Sequence, residues 1–105
     1  MQIQTDTVDH ICSEHNVSRI DILKVDVEGA ESRVFKGAQE MFSRRAVRSV
    51  FVEVYFDPVY EGMPLMWDLH AQLGEVGFRL YGLYSLNAGG SGFLSFGNAL
   101  YLLPQ

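Results

Sequence analysis

The fold of this chain is decided by the stretch Ile20-Asp21-Ile22-Leu23-Lys24-Val25-Asp26-Val27-Glu28-Gly29-Ala30-Glu31. Its almost continuous apolar run is typical of a parallel strand that is covered on both faces, and we expect that strand to span 20–27. Asp26 and Glu28 fall at its carboxyl end, the end where ligands bind in open α/β sheets. Gly29 then permits a tight turn into a helix. The stretch therefore predicts a strand, a turn with two carboxylates, and a helix.

The residues on either side continue an alternating α/β pattern, read from hydrophobic periodicity and turn residues. The expected elements are a short helix capped by Thr7, the strand Ile20 to Val27, a helix from Ala30 to Phe42, the strand Val47 to Tyr55, a helix whose first turn holds Pro64, and the strands Phe78 to Tyr84 and Ala99 to Leu103. No helix pattern separates the last two strands, so they should pair antiparallel across a glycine-rich loop from Asn87 to Gly97.

Length and composition place the chain among single-domain proteins. Its 105 residues allow one domain, and a net charge of −5 argues against non-specific nucleic-acid binding. Cys12 is the single cysteine, so no disulfide can form within the chain, which suits a reducing cytoplasm. No apolar stretch has the length needed to cross a bilayer. We therefore expect a cytoplasmic protein that binds neither nucleic acid nor membrane.

A family resemblance is carried by the same motif. The run from Lys24 to Glu31, followed by Val34-Phe35-Lys36-Gly37-Ala38, resembles the central motif of FkbM-type methyltransferases. Thr7-Val8-Asp9 precedes it and Val52-Glu53-Val54 follows it in the matching order. The resemblance implies an S-adenosylmethionine-dependent enzyme that methylates oxygen atoms. It also implies a partial Rossmann-like α/β fold: a four-stranded mixed sheet in the order first, second, fourth, third, with the last strand antiparallel, flanked by about three helices.

The resemblance covers only part of such an enzyme. Those methyltransferases bind the cofactor mainly with a first half, in which a strand runs into a glycine-rich loop. Here Gly89-Gly90-Ser91-Gly92 comes late and precedes no helix pattern. Residues 1–105 therefore resemble one domain, the C-terminal half of a class I methyltransferase, and the cofactor-binding residues stay unassigned. We expect little methyl transfer by this chain alone. The alternative is a non-enzymatic, self-associating structural module.

Asp26 and Glu28 are the first candidates for catalysis. They stand two apart on a strand, so both can point to one side. Paired carboxylates could orient a hydroxyl, act as a general base or hold a divalent ion, and the last option would make a small metal-dependent enzyme. The competing interpretation is structural: Glu28 would stabilise the start of a helix, and Asp26 would bond to loop amides.

Glu53 and Lys24 complete the set of candidate catalytic residues. Glu53 lies within an apolar strand, where a carboxylate is costly unless it is paired or hydrogen-bonded. It could extend the site of Asp26 and Glu28, or it could pair with Lys24, the other charge embedded in a strand. The sequence leaves both possibilities open.

The expected partner is a second copy of the chain. The strand Ile20 to Val27 would be central in a complete methyltransferase, and here it should lie at a sheet edge with unpaired backbone groups. A two-fold dimer or a higher oligomer through this edge would cover them. Alternatively, residues Met1 to Gln4 could fold back over the edge and leave a monomer.

Overall fold

A computed structural model of the protein describes residues 7–27, 29–90 and 92–105, and the fold is given for those ranges. The elements along the chain are α1 (Val8–Glu14), β1 (Leu23–Val25), α2 (Glu31–Lys36), α3 (Gln39–Ser43), β2 (Ser49–Tyr55), α4 (Met66–Glu75), β3 (Arg79–Ala88) and β4 (Leu94–Leu102). Helical and strand segments alternate up to β3, with α2 and α3 together between β1 and β2, which confirms the predicted α/β class.

The four strands form one mixed sheet in the order β1-β2-β4-β3. β1 pairs parallel with β2, while β4 runs antiparallel to both β2 and β3. This is the predicted order, with the predicted reversed strand. A tight connection puts β3 and β4 side by side, and β4 is then inserted between β3 and β2.

One face of the sheet packs against the helices and forms the core. Val50, Val52 and Val54 of β2 lie on this face and are fully buried, as is Tyr101 of β4. The helices contribute a larger set of buried side chains, which includes Phe35, Met41, Phe42, Leu69 and Leu73. Fully burying a side chain of this size is worth about 1.5–3 kcal/mol, so this single layer supplies most of the driving force for folding.

The opposite face of the sheet carries apolar side chains that stay partly exposed. We call Phe51, Tyr55, Tyr84, Phe96 and Leu100 the open face. Strand register places them together, because Phe51 pairs with Leu100 and Tyr55 pairs with Phe96. The rings of Phe51 and Tyr84 lie 6.5 Å apart, and Phe96 is 38% exposed. Exposed apolar patches of this kind often mark interaction sites.

The first strand is shorter than predicted. β1 covers Leu23–Val25 rather than Ile20 to Val27, and Ile20 makes only an isolated parallel bridge with Val47. β1 is an edge strand, and its ladder with β2 is limited to three positions, although Ile20 also exchanges backbone hydrogen bonds with Ala46 and Arg48. Ile22, between Ile20 and the ladder, is 65% exposed. The apolar run was interpreted correctly as a strand but with the wrong length.

The helix predicted from Ala30 to Phe42 is two helices. α2 ends at Lys36 and α3 begins at Gln39, with the break at Gly37 and Ala38. The first turn of α1 contacts this break, where the Gly37 carbonyl accepts a hydrogen bond from the Asp9 N–H at 2.9 Å. A Cβ at Gly37 would lie 3.0 Å from the Thr7 Cβ. The glycine allows a close approach to the start of α1.

Two further boundaries differ from the predictions. α4 begins at Met66 rather than at Pro64, and the Asp68 carboxylate accepts a hydrogen bond from the Leu65 N–H at 2.8 Å. The predicted loop Asn87 to Gly97 is largely strand, since β3 runs to Ala88 and β4 starts at Leu94. Cross-strand pairing with bulges overrides the turn propensity of the glycine- and serine-rich segment.

Candidate functional site

The candidate site lies at the carboxyl ends of β1 and β2. The two strands are parallel, so both chains leave the sheet at the same edge. Val25 pairs with Val52, and one position further along each chain come Asp26 and Glu53. Asp26 is exposed and Glu53 is half-buried. Glu28 lies outside the described residues, so its predicted role stays a prediction.

A third carboxylate, Glu31, lies at this edge and was not predicted to belong to the site. It is fully buried at the start of α2. Its Oε1 and Oε2 accept the Gly29 N–H at 3.0 and 3.2 Å. Burial raises the pKa of Glu31 above its usual value, backbone hydrogen bonds oppose that rise, and the charge of Glu53 adds to it. The two carboxylates therefore interact electrostatically.

The spacing of apolar residues in the sequence indicates that Glu31 lies on the buried face of its helix. Glu31, Phe35, Ala38 and Phe42 follow one another at spacings of four, three and four, and all are buried. That spacing is the core stripe of a helix. The helix predicted from Ala30 to Phe42 gave Glu31 no place in the core, because hydrophobic periodicity counts a glutamate as polar. A charged residue in phase with a buried stripe indicates a buried charge.

Glu53 finds its hydrogen-bond partner on its own strand. The Tyr55 hydroxyl donates to Glu53 Oε1 at 2.6 Å, which is short for an O–H···O hydrogen bond. Lys24 is exposed and lies level with Phe51, two positions back along β2. Within the described residues no Lys24–Glu53 ion pair forms, so Tyr55 is the partner of the carboxylate.

The segment after β2 covers this edge with aromatic rings. The Tyr60 hydroxyl donates to the Gly29 carbonyl at 3.2 Å, which joins this segment to the turn after β1. Phe56 and Trp67 pack edge-on with ring centroids 5.8 Å apart. Tyr60 is 51% exposed and Trp67 is 59% exposed. The edge therefore combines carboxylates, a tyrosine hydroxyl and accessible aromatic surface.

Two other features bear on the predicted classes of function. Across residues 7–27, 29–90 and 92–105, no three His, Cys, Asp or Glu side chains come together as a metal-ion site. Within the same ranges, none of the helices has the length and apolar character to cross a membrane.

The mixed sheet with a reversed final strand is that of a Rossmann-like α/β domain, and its candidate site has one carboxylate directly after β1 and another near the carboxyl end of β2. The methyltransferase FkbM domain family matches residues 1–80, and the chain belongs to this family. The family suggested by the run from Lys24 to Glu31 is thereby confirmed.

The match to one curated relative shows how much of a related protein the chain covers. The chain is 35% identical over 66 residues to the 2-O-methyltransferase NoeI of Sinorhizobium fredii (strain NBRC 101917 / NGR234), a match that covers 62% of this chain and 26% of NoeI. The chain thus spans about a quarter of that relative. No solved structure matches the chain.

Proposed function

We propose that this chain forms part of an S-adenosylmethionine-dependent O-methyltransferase and supplies the carboxylate side of its active site. The observation that supports this most is the position of the family motif: Asp26 directly follows β1, and Glu53 comes one residue after Val52, the partner of Val25 in the parallel strand β2. The family assignment makes methyl transfer the expected chemistry. NoeI is named as a 2-O-methyltransferase, which favours an oxygen acceptor.

The chemistry asks two things of these residues. An acceptor hydroxyl must lose its proton as the oxygen bonds to the methyl carbon, and a carboxylate within hydrogen-bond reach can take that proton. Glu53 is the first candidate for this role, because the Tyr55 hydroxyl donates to its Oε1 and so orients the carboxylate near the carboxyl end of β2. Glu28 is the second candidate base. Lys24, on the same strand as the motif, would complement negative charge on the acceptor.

The described residues would supply only some of the contacts that S-adenosylmethionine needs. S-adenosylmethionine supplies a methyl group on a positively charged sulfur, and the exposed carboxylate of Asp26 would favour that positive charge. A cavity of about 90 Å³ lined by Asp9, Cys12 and neighbouring residues lies between α1 and α3, away from this edge. Cofactor sites usually measure roughly 300–1,000 Å³, so this cavity is too small. A larger cavity of about 430 Å³ is lined by helix residues such as Ser32 and Gln72, and not by Asp26 or Glu53. We expect the remaining contacts to come from another part of a methyltransferase domain.

We propose that methyl transfer needs a complement to this chain. The other part of the domain could be joined to it, could be a separate polypeptide, or could be replaced by self-association along β1. The short edge strand, with Ile22 65% exposed beside it, supports association at this edge. We place the protein in the cytoplasm, which its single cysteine favours.

Calorimetric titration of the 105-residue chain with S-adenosylmethionine tests the proposal. We expect saturable binding of millimolar or weaker affinity that is lost in Asp26→Asn and kept in Glu75→Gln, an exposed change on α4. A micromolar dissociation constant for the chain alone would contradict the need for a complement. Complete absence of binding would favour the alternative function.

The alternative is a non-enzymatic module that keeps the scaffold and binds a second copy. The open face supports it, since Tyr84 and Phe96 are 43% and 38% exposed there. A protein that dimerises tightly and shows no heat with S-adenosylmethionine would fit this alternative and not the enzyme.

A further inference from the structure

We propose that Glu31 and Tyr60 are positioning residues, which hold the Gly29 peptide units from opposite ends and so fix the turn after β1 relative to the end of β2. The inference rests on the proposed function, because it assigns the two residues to the site around Asp26 and Glu53. Neither side chain needs to touch the substrate for this role.

The geometry satisfies both polar backbone groups of Gly29 with side chains. Its N–H donates to both carboxylate oxygens of Glu31, at 3.0 and 3.2 Å, and its carbonyl accepts the Tyr60 hydroxyl at 3.2 Å. The φ of Gly29 is +92°, which favours glycine, and a Cβ there would lie 2.9 Å from the Tyr60 Cε1. A glycine at position 29 therefore suits both the positive φ and the close approach of the Tyr60 ring.

Placing a carboxylate at position 31 costs free energy. Its side chain is fully buried, and it interacts unfavourably with the charge of Glu53. An apolar residue could fill the same space on α2 without a desolvation penalty. A carboxylate, however, accepts stronger hydrogen bonds than a neutral group. The turn receives a rigid anchor in return.

The turn needs such an anchor because the sheet does not hold it. The β1 ladder ends at Val25, so Asp26 is not paired with β2. The next fixed points along the chain are the 3.2 Å hydrogen bond from the Ala30 N–H to the Val27 carbonyl and the two contacts at Gly29. Tyr60 lies in the segment directly after β2. Its single hydrogen bond therefore ties the turn that follows Asp26 to the segment that follows Glu53.

Amide measurements by nuclear magnetic resonance on the 105-residue chain test the geometry. The Gly29 amide proton should shift downfield as Glu31 ionises, and this titration should vanish in Glu31→Gln. Tyr60→Phe removes one hydrogen bond, so Gly29 exchange with solvent should rise about fivefold while β2 amides keep their rates. Tyr81→Phe, an exposed change on β3, is the control and should leave Gly29 unchanged. No titration at Gly29, or faster exchange spread equally over the chain, would overturn the proposal.

Cofactor affinity tests the positioning role itself. Tyr60→Phe should weaken S-adenosylmethionine binding several-fold in the calorimetric titration, with the midpoint of thermal unfolding unchanged, and Tyr81→Phe should not. Faster Gly29 exchange with unaltered affinity would show that the contacts are structural only and would overturn the role. If the wild-type chain binds no S-adenosylmethionine, the proposed function fails, and the positioning role falls with it. The Gly29 measurements would still decide whether the two residues hold the turn.

Discussion

The carboxylate of Asp9 lies across the first turn of α3, where its Oδ1 accepts a hydrogen bond from the Met41 N–H at 2.9 Å. Its Oδ2 accepts the Glu40 N–H at 2.8 Å. These are helix-terminal amides that have no partner within α3. Asp9 therefore acts as a remote cap that fastens α1 to α3.

Replacing Asp9 should destabilise the fold. Asp9→Ala leaves two amides of α3 without an acceptor, and we expect a loss of about 1–2 kcal/mol in the free energy of unfolding. Urea denaturation followed by circular dichroism measures it. Glu61→Ala, an exposed change in the loop before α4, is the control. Equal stability of the two variants would contradict the capping role.

Glu31 should make the stability of the chain depend on pH. Because burial raises the pKa of Glu31 in the folded state, its favourable contribution is complete below the usual value of 4.5 and is lost as pH rises through the folded pKa. The unfolding free energy should therefore fall less steeply in Glu31→Gln than in the wild type as pH rises from 4.5 to neutrality. Urea denaturation at successive pH values shows this. Glu75→Gln should keep the wild-type slope.

The Tyr101 hydroxyl should ionise at a higher pH than an exposed tyrosine does. Its hydroxyl lies 3.1 Å from His70 Nδ1 and 3.7 Å from Met66 Sδ, and burial raises the pKa of Tyr101 to about 12. Its contribution to stability is complete below 10 and is lost as pH rises through about 12. Alkaline titration of tyrosine absorbance should show a late phase that Tyr101→Phe removes. Tyr81→Phe, whose parent side chain is 68% exposed, should leave that phase intact.

Val25 and Asp26 are neighbours in sequence, but replacing them with alanine should lower the free energy of unfolding by different amounts. Val25 is 3% exposed, so Val25→Ala should cost about 2 kcal/mol or more, as truncations in a core do. Asp26 is exposed beyond the strand, so Asp26→Ala should change stability only modestly. Chemical denaturation of both variants decides the matter. If Asp26→Ala were the more damaging change, Asp26 would be a structural residue and its place in the site would lose support.

Self-association through the β1 edge is the remaining prediction. Sedimentation equilibrium at micromolar concentration should show a species of at least twice the 11.8 kDa chain mass. Ile22→Lys should split or unfold it, because the charge would enter the new interface. Val59→Lys, a change at a loop residue that is 73% exposed, is the control. A monomer of single-chain mass in the wild type would end the dimer proposal.

Sequence patterns predicted the layout of the sheet better than its details. The motif from Lys24 to Glu31 led to the family, and the family implied the reversed last strand. The extent of β1 could not be read because apolar residues such as Ile22 and Val27 favour a strand whether or not a neighbour is present to pair with them. Lys24 and Glu53 suggested a pair because both interrupt apolar runs, yet register sets them two positions apart.

The buried carboxylate of Glu31 escaped notice for a different reason. Hydrophobic periodicity counts a glutamate as polar, while burial here depends on a backbone donor, the Gly29 N–H, that only the folded turn presents. The break at Gly37 likewise depends on contact with Thr7, thirty positions earlier in the chain. Local sequence contains neither partner.

The packing of Trp67 against Phe56 determines what tryptophan fluorescence reports about this protein in solution. Trp67 is the single tryptophan, and it lies 59% exposed at the start of α4, outside the buried core. Its emission will report movement of the segment between β2 and α4, and it will respond weakly to loss of the core. Fluorescence and circular dichroism can therefore follow the rim of the site and the unfolding of the whole domain as two separate signals in one sample.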